Sequence, residues 1–212
     1  MIGRKVLVFA PHPDDESIGC GGTIAKIIKE GGDVVIVWMT SGELGTKNHH
    51  RNSELAKIRE REAKRAVTVL GVKNYYFLRQ PDSFLLATPH LIKQVAEIIT
   101  THKPETILCS YWDKMNNDHI VTHGVVTRAA LLAGGISKSL LCYEVWTPIE
   151  DCNYYEDISD FFDIKLKALS AYKSQIQIIP YDQAIEGLNR YRGLMGIGKK
   201  YAEAFKIIYS KG

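Results

Sequence analysis

"KVLVFAPHPDDESIGCGGTIAKIIKEGGDVVIVWMT", residues 5–40, decides the fold. Its first six residues, 5–10, are a continuous β-prone apolar run ended by Pro11, and "DVVIVWMT" (33–40) is a second such run. Between them, "GTIAKIIKEGG" (22–32) carries Ile24, Ile27 and Ile28 at helical spacing, with Gly31 where a helix would close. Strand, helix and strand in this order make a βαβ unit. Strands that are apolar throughout belong to a parallel sheet covered on both faces.

Working outward, the alternation continues. "NSELAKIREREAKRAVTVLGV" (52–72) predicts a long amphipathic helix, with Ser53 as candidate cap and Gly71 as stop. "NYYFL" (74–78) reads as a strand, "PHLIKQVAEIITTHKP" (89–104) as a helix and "ETILCSY" (105–111) as a strand. "DHIVTHGVVTRAALLAG" (118–134) then predicts a helix and "SLLCYEVWT" (139–147) a strand. In the last third, "DFFDIKLKALSAYKSQ" (160–175) and "GKKYAEAFKIIYS" (198–210) read as helices joined by a loop. No repeat or low-complexity linker divides the chain, so the 212 residues are expected to form one α/β domain, 1–212.

Bulk composition excludes several classes. Hydrophobic residues at 45% and charged residues at 24% are ordinary for a globular protein and argue against disorder. A net charge of +3, with the basic residues dispersed along helices such as "KIREREAKR", gives no footprint for nucleic acid. No apolar run reaches the length of a signal-peptide core or a membrane span, so stable membrane insertion is not expected and the cytoplasm is the expected compartment. The four cysteines, Cys20, Cys109, Cys142 and Cys152, contain no CxxC pair. They indicate neither a zinc ribbon nor a redox dithiol, and reduced, partly buried thiols are expected.

Ligands of open parallel sheets bind beyond the carboxyl ends of the strands, and the acid-rich "PHPDDE" (11–16) sits there, directly after the first strand. His12 and Asp15 are three apart and converge if the chain turns, leaving the Asp14 carboxylate unligated. A catalytic zinc site needs about three protein ligands and an open position. "NNDHIVTH" (116–123), after a later strand, offers either His119 or His123 as the third. Imidazoles and one carboxylate leave zinc enough positive charge to acidify a water, and a spare carboxylate can take the proton. That chemistry suits attack on an amide or ester carbonyl. An acidic turn also serves as a plain helix cap, which Asp14 to Ser17 would satisfy. "GCGGT" (19–23) fails the dinucleotide pattern, because Ile24 stands where glycine or alanine is needed and no Walker lysine follows. Gly19, Gly21 and Gly22 are read instead as close-packing positions beside the site.

"PHPDDE", "GCGGTIAK" and "NNDH" together resemble the PIG-L/LmbE-like family of metal-dependent de-N-acetylases. "TSGELG" (40–45), "YEVWTP" (143–148) and "GLNRYRGLMGIGKKYAEAF" (187–205) extend the likeness over nearly the whole chain. The resemblance implies a Rossmann-like three-layer sandwich with a mostly parallel sheet. It also implies a zinc hydrolase, one Zn2+ per chain, that removes acetyl from an N-acetylglucosamine-type sugar or conjugate. Members act on glucosaminyl-inositols, glucosaminyl-malates, glucosaminyl-phosphatidylinositol and chitobiose, and are often homo-oligomers. Carried over, His12, Asp15 and His119 are metal ligands, Asp14 is the general base, and Arg59 and Asp82 meet the substrate. Asp118 is available to orient His119 or a neighbouring group, and His123 takes a supporting or structural place. Trp146 is read as core or pocket wall.

One position departs from the family pattern. The second motif usually reads histidine, proline, aspartate, histidine, whereas this chain has Asn116 and Asn117 before Asp118 and His119. Asn116, in the catalytic position, donates a hydrogen bond but carries no proton. The proton for the leaving amine must then come from Asp14 or from another group such as His123 or His50, unless the metal alone polarises the carbonyl. The alternatives are a glycan or sugar-nucleotide binding module on the same scaffold, or a hydrolase of non-sugar amides.

Overall fold

The structure, a computed structural model, describes residues 2–48, 50–112 and 116–211. Seven strands form one sheet: β1 (Lys5–Ala10), β2 (Asp33–Thr40), β3 (Asn74–Gln80), β4 (Thr106–Ser110), β5 (Ser139–Tyr143), β6 (Tyr154–Asp157) and β7 (Ala202–Ser210). Their order is β3-β2-β1-β4-β5-β7-β6. The pairings among β1 to β5 are parallel, and β7 runs antiparallel to both β5 and β6.

Strand residues alternate between two cores. Val6, Val8 and Ala10 face one layer, made by α1 (Asp15–Lys29), α2 (Ser53–Leu70), α5 (Phe162–Leu169) and α7 (Tyr181–Tyr191). Leu7 and Phe9 face the other, made by α3 (Pro89–His102) and α4 (Asn117–Leu132). The period-two alternation of a strand buried on both sides therefore produces the expected three-layer α/β sandwich with a mostly parallel sheet.

Several boundaries differ from the sequence reading. Helix α1 begins at Asp15, seven residues before the expected start, because a first short helical segment joins the second across a kink at Cys20 (φ −141°). The cap of α2 is Asn52 rather than Ser53, and its side chain accepts from the backbone N–H groups of Glu54 and Leu55. Gly71 closes that helix in the left-handed conformation, φ 80°. The strand expected over 139–147 ends at Tyr143. The helix expected over 160–175 is broken into α5 and a short α6 (Lys173–Ile176), the region read as a loop contains α7 and a π-helical turn over 192–197, and β6 was not foreseen.

The largest correction is at 198–210, where a helix was expected and β7 is found. Tyr201, Phe205 and Ile208 satisfy a helical period, but the exposed ladder of β5 is a stronger demand, and β7 pairs with it from Ser139 to Tyr143. Glu203 fixes the strand: it receives Lys165 Nζ at 2.6 Å and the backbone N–H groups of Gly22 and Thr23 at 2.9 and 2.8 Å. Neither partner of that ion pair has any exposed side chain. The glycines of "GCGGT" act through close packing. A Cβ on Gly19 would lie 2.1 Å from the Tyr143 ring, and one on Gly22 would lie 2.8 Å from Ile158.

Glu203→Gln leaves the Lys165 ammonium in the core without its counter-charge. A loss of about 3–5 kcal/mol is expected, read as a lowered denaturant midpoint at unchanged slope; a shift below about 1 kcal/mol would show that the pair is not desolvated.

Candidate active site

The strand order reverses between β1 and β4, which opens a crevice at their carboxyl ends. Two segments meet there: the turn from β1 into α1, carrying His12, Asp14 and Asp15, and the start of α4, carrying Asn116, Asp118 and His119. Asp15 occupies the first position of α1 and His119 the first turn of α4, so two helix starts bring their side chains to one point.

His12, Asp15 and His119 present donor atoms all within 4.8 Å of one another. Asp15 Oδ2 lies 3.1 Å from His12 Nδ1 and 3.4 Å from His119 Nε2, and the two imidazole centroids are 5.4 Å apart. Asp15 and His119 are fully buried, yet Asp15 Oδ1 and both ring nitrogens of His119 have no hydrogen-bond partner. Orphaned buried polar atoms are costly, and a free Asp15 oxygen beside an unpartnered ring nitrogen of His119 fits a bound cation. His12, Asp82 and Asp118 form a second acidic group behind the first. Its carboxylates are already satisfied: Asp118 accepts from Ser83 N and Leu85 N, and Asp82 accepts from Leu44 N and Ser83 Oγ.

That second group holds His12 in place. His12 Nε2 lies 3.1 Å from Asp118 Oδ2 and 3.3 Å from Asp82 Oδ1, so Nε2 points back and Nδ1 faces Asp15. A carboxylate behind an imidazole is the arrangement that orients a metal-ligating histidine, and Asp118 stands in that position behind His12. Burial alone would lower the His12 pKa, but hydrogen bonds to Asp118, Asp15 and Asp82 raise it well above the ordinary value. For Asp15, burial works upward and is outweighed by the neighbouring His119 and His12 imidazoles, the latter hydrogen-bonded to it, which hold the carboxyl far below its usual range. Asp82 is likewise lowered to about 2, because His12 and the Leu44 N–H overcome its burial.

Asp14 sits beside this centre on strained backbone, φ 135°, and makes no side-chain cap to α1. Such a conformation costs about 1–3 kcal/mol and persists only where the surroundings enforce it. Here the Asp14 carbonyl accepts from Ser17 N and Ile18 N, and its own N–H reaches Glu16 Oε2 at 3.3 Å. Its Oδ1 lies 3.0 Å from Arg59 Nη2. Burial raises the Asp14 carboxyl to about 8, with Arg59 opposing. Arg59 is no solvated helix arginine: it is 3% exposed and also donates to the carbonyls of Pro13 and Gly42.

The remaining expected residues separate. Asn116 caps α4, its side-chain oxygen accepting from Asp118 N at 2.9 Å, and it lines the cleft. That cap commits the oxygen and leaves the amide nitrogen as the group able to donate. His123, one turn beyond His119, faces Cys109 and Cys142 rather than His12 and Asp15. Of the two histidines left open in the sequence, His119 is the one brought to Asp15, at 3.4 Å, while His123 lies one turn further along the same face of α4. His50 is exposed and does not line the cleft.

Glu16 had no role in the sequence reading. It is a buried brace that accepts from Trp38 Nε1, Tyr172 OH and Ser17 Oγ at 2.6 to 2.7 Å, tying β2 and the segment after α5 to the metal turn. The cleft itself encloses about 180 Å3, walled by Leu44, Gln175, Ile178, Ile179 and Tyr181 around His12, Asp14 and Arg59. Trp146 stands at its rim, 43% exposed, edge-on to Tyr181 at 5.4 Å. Gln175 to Tyr181 lie more than 100 residues from the metal turn and carry no motif, so only folding reveals them.

The sequence profile of the GlcNAc-PI de-N-acetylase (PIG-L) family matches residues 7–130, more than half of the chain. The chain belongs to the PIG-L family. A diacetylchitobiose deacetylase of Thermococcus kodakarensis is 30% identical over 97% of this chain and 83% of its own. A probable N-acetyl-α-D-glucosaminyl L-malate deacetylase of Bacillus cereus is 29% identical over 84% of this chain and 87% of its own. Among solved structures, N,N'-diacetylchitobiose deacetylase from Pyrococcus horikoshii superimposes with a TM-score of 0.84 at 28% identity, covering 97% of this chain and 84% of its own. The conserved protein TT1542 from Thermus thermophilus gives 0.86 at 29% identity, covering 99% and 96%. This PIG-L family member is accordingly an enzyme of the deacetylase type. None of its described helices is long and apolar enough to cross a membrane.

Asp118→Asn removes the carboxylate that fixes His12. Zinc affinity should fall about 10–100-fold in competition with a chromophoric chelator; unchanged affinity would remove Asp118 from the support of the site.

Proposed function

We propose that this chain is a metal-dependent N-deacetylase of an N-acetylglucosamine-type sugar or conjugate, with His12, Asp15 and His119 holding one zinc-class ion. The observation that carries the reading is the set of unpartnered donors on buried Asp15 and His119, beside the spare carboxylate of Asp14. When bound, such an ion supplies Lewis acidity toward the acetyl carbonyl and an acidified water.

The chain supplies the rest. Asp14 accepts the proton of the attacking water on the carboxylate oxygen not paired with Arg59, and passes it to the nitrogen of the departing amine. Arg59, fixed by three oxygen partners, holds Asp14 in place across both transfers. The Asn116 amide nitrogen donates a hydrogen bond to the developing negative oxygen, a stabilisation that needs no titratable group. His123 and His50 lie away from the cleft, so Asp14 carries the proton in both directions. Trp146 and Tyr181 offer apolar ring faces against which the C–H face of a pyranose can lie, while Asp82 at the cleft wall offers an acceptor to sugar hydroxyls.

Asp14→Asn should retain the bound ion while acetate release from N-acetylated amino sugars falls about 10²–10⁴-fold; full turnover in that variant would remove Asp14 as the base. No acetate from a panel of N-acetylglucosamine conjugates, with the ion bound, would instead favour the binding module that Asn116 suggests. Trp146→Ala should raise KM about 10-fold, near 1.4 kcal/mol of substrate binding, with kcat little changed. An equal fall in kcat at unchanged KM would place the ring in the chemistry instead.

A further inference from the structure

Cys109 on β4, Cys142 on β5 and His123 on α4 meet in the layer opposite α1. The two cysteines are register partners in adjacent parallel strands, with Sγ atoms 3.5 Å apart. His123 Nδ1 lies 3.3 Å from Cys142 Sγ and 3.9 Å from Cys109 Sγ. Both thiols are fully buried, and His123 is half-buried against Trp112, giving the cluster a route to solvent on one side only. Nothing in the deacetylase chemistry uses these three residues.

We propose that Cys109, Cys142 and His123 form a second metal site, a thiolate-rich one, for a divalent thiophilic ion of the zinc class. Zinc bonds of about 2.3 Å to sulfur and 2.0–2.1 Å to nitrogen, at tetrahedral angles, set the ligand atoms about 3.8 Å (S to S) and 3.6 Å (S to N) apart. The two S–N separations, 3.3 and 3.9 Å, lie either side of the S–N edge and the S–S separation, 3.5 Å, is slightly short of its edge, so the ion enters with little rearrangement. Charge favours the same ion: two thiolates and a neutral imidazole neutralise a dication in an apolar surround of Val125, Val126 and Leu140. Soft sulfur donors also select against magnesium and calcium. Binding releases the thiol protons to solvent, and affinity therefore rises with pH. The fourth position falls to water entering on the His123 side.

His119 and His123 are one turn apart on α4, so this helix presents one imidazole to each centre. The two centres differ in donor chemistry: the Asp15 centre contains no sulfur. A cobalt titration of the full-length protein, freed of metal and kept reduced with a phosphine, separates them. Two equivalents of Co2+ should bind, one of them producing a near-ultraviolet thiolate-to-cobalt charge-transfer band. Asp15→Asn should lose one equivalent and keep the band, so failure of the deacetylase centre to bind leaves this result untouched. Cys142→Ser should lose the band. Absence of the band in the wild-type chain, whatever the number of ions bound, overturns the site. If Cys142→Ser does not fold, His123→Ala serves: affinity at the band should drop by more than the roughly 10–100-fold typical of losing an outer-shell partner, and an unchanged titration overturns the site as proposed.

Discussion

A buried excess of negative charge at the carboxyl ends of β1 and β4 is the constraint on which the rest of the site depends. Asp14, Asp15, Glu16, Asp82 and Asp118 are all at most 4% exposed, and Arg59 is the permanent cation among them. Carboxylates in a low-dielectric interior are tolerated only when paired or bonded. Asp82 and Asp118 are paired with His12 and backbone N–H groups, Asp14 with Arg59, and Glu16 with the hydroxyl and indole donors around it. Asp15 is the carboxylate left with an unpartnered oxygen, and it faces the two imidazoles. The fold has thus gathered charge that a divalent ion would balance at one point.

Rigidity around that point follows from the same network. The strained Asp14 backbone is held by the first turn of α1, and Glu16 links that turn to Trp38 on β2 and to Tyr172. Glu203 on β7 accepts from the backbone of α1 at Gly22 and Thr23 while neutralising Lys165 of α5. The C-terminal strand and the helix after β6 are therefore tied to the helix that carries Asp15. A site whose ligands sit at helix starts needs both helices fixed, and these polar contacts supply directional constraints that apolar packing alone does not.

The substitution of asparagine at 116 shows how one position redistributes work. A capping asparagine satisfies the start of α4 and still offers an N–H to the cleft, but carries no titratable proton; in the proposed reaction that task is given to Asp14. The second imidazole on α4, His123, is turned to two thiols and is unavailable for that task. Four residues apart, the two histidines share one face of α4, and the neighbours beneath each turn, Asp15 for His119 and Cys142 for His123, divide them.

Local chemistry was enough to read the βαβ start, the parallel pairing of the first strands and the acid-rich turn of 11–16 at the end of β1. Apolar runs, helical spacing and strand-end position are all encoded within a few residues. The C-terminal third was misread because "YAEAFKIIYS" satisfies both helical and strand periods, and an unpaired edge beside β5, distant in sequence, chose between them. Which histidine faces His12, that Asp118 and Asp82 stand behind it, and that Arg59 is buried on Asp14 depended on packing between segments far apart in the chain. The cysteines carried no spacing signal at all; register between β4 and β5 brought Cys109 beside Cys142. By itself the sequence determined which chemical groups were present and where along a strand or helix each would stand. Tertiary structure alone decided which of them would share a buried volume, because pairing and desolvation energies exist only once distant segments are in contact.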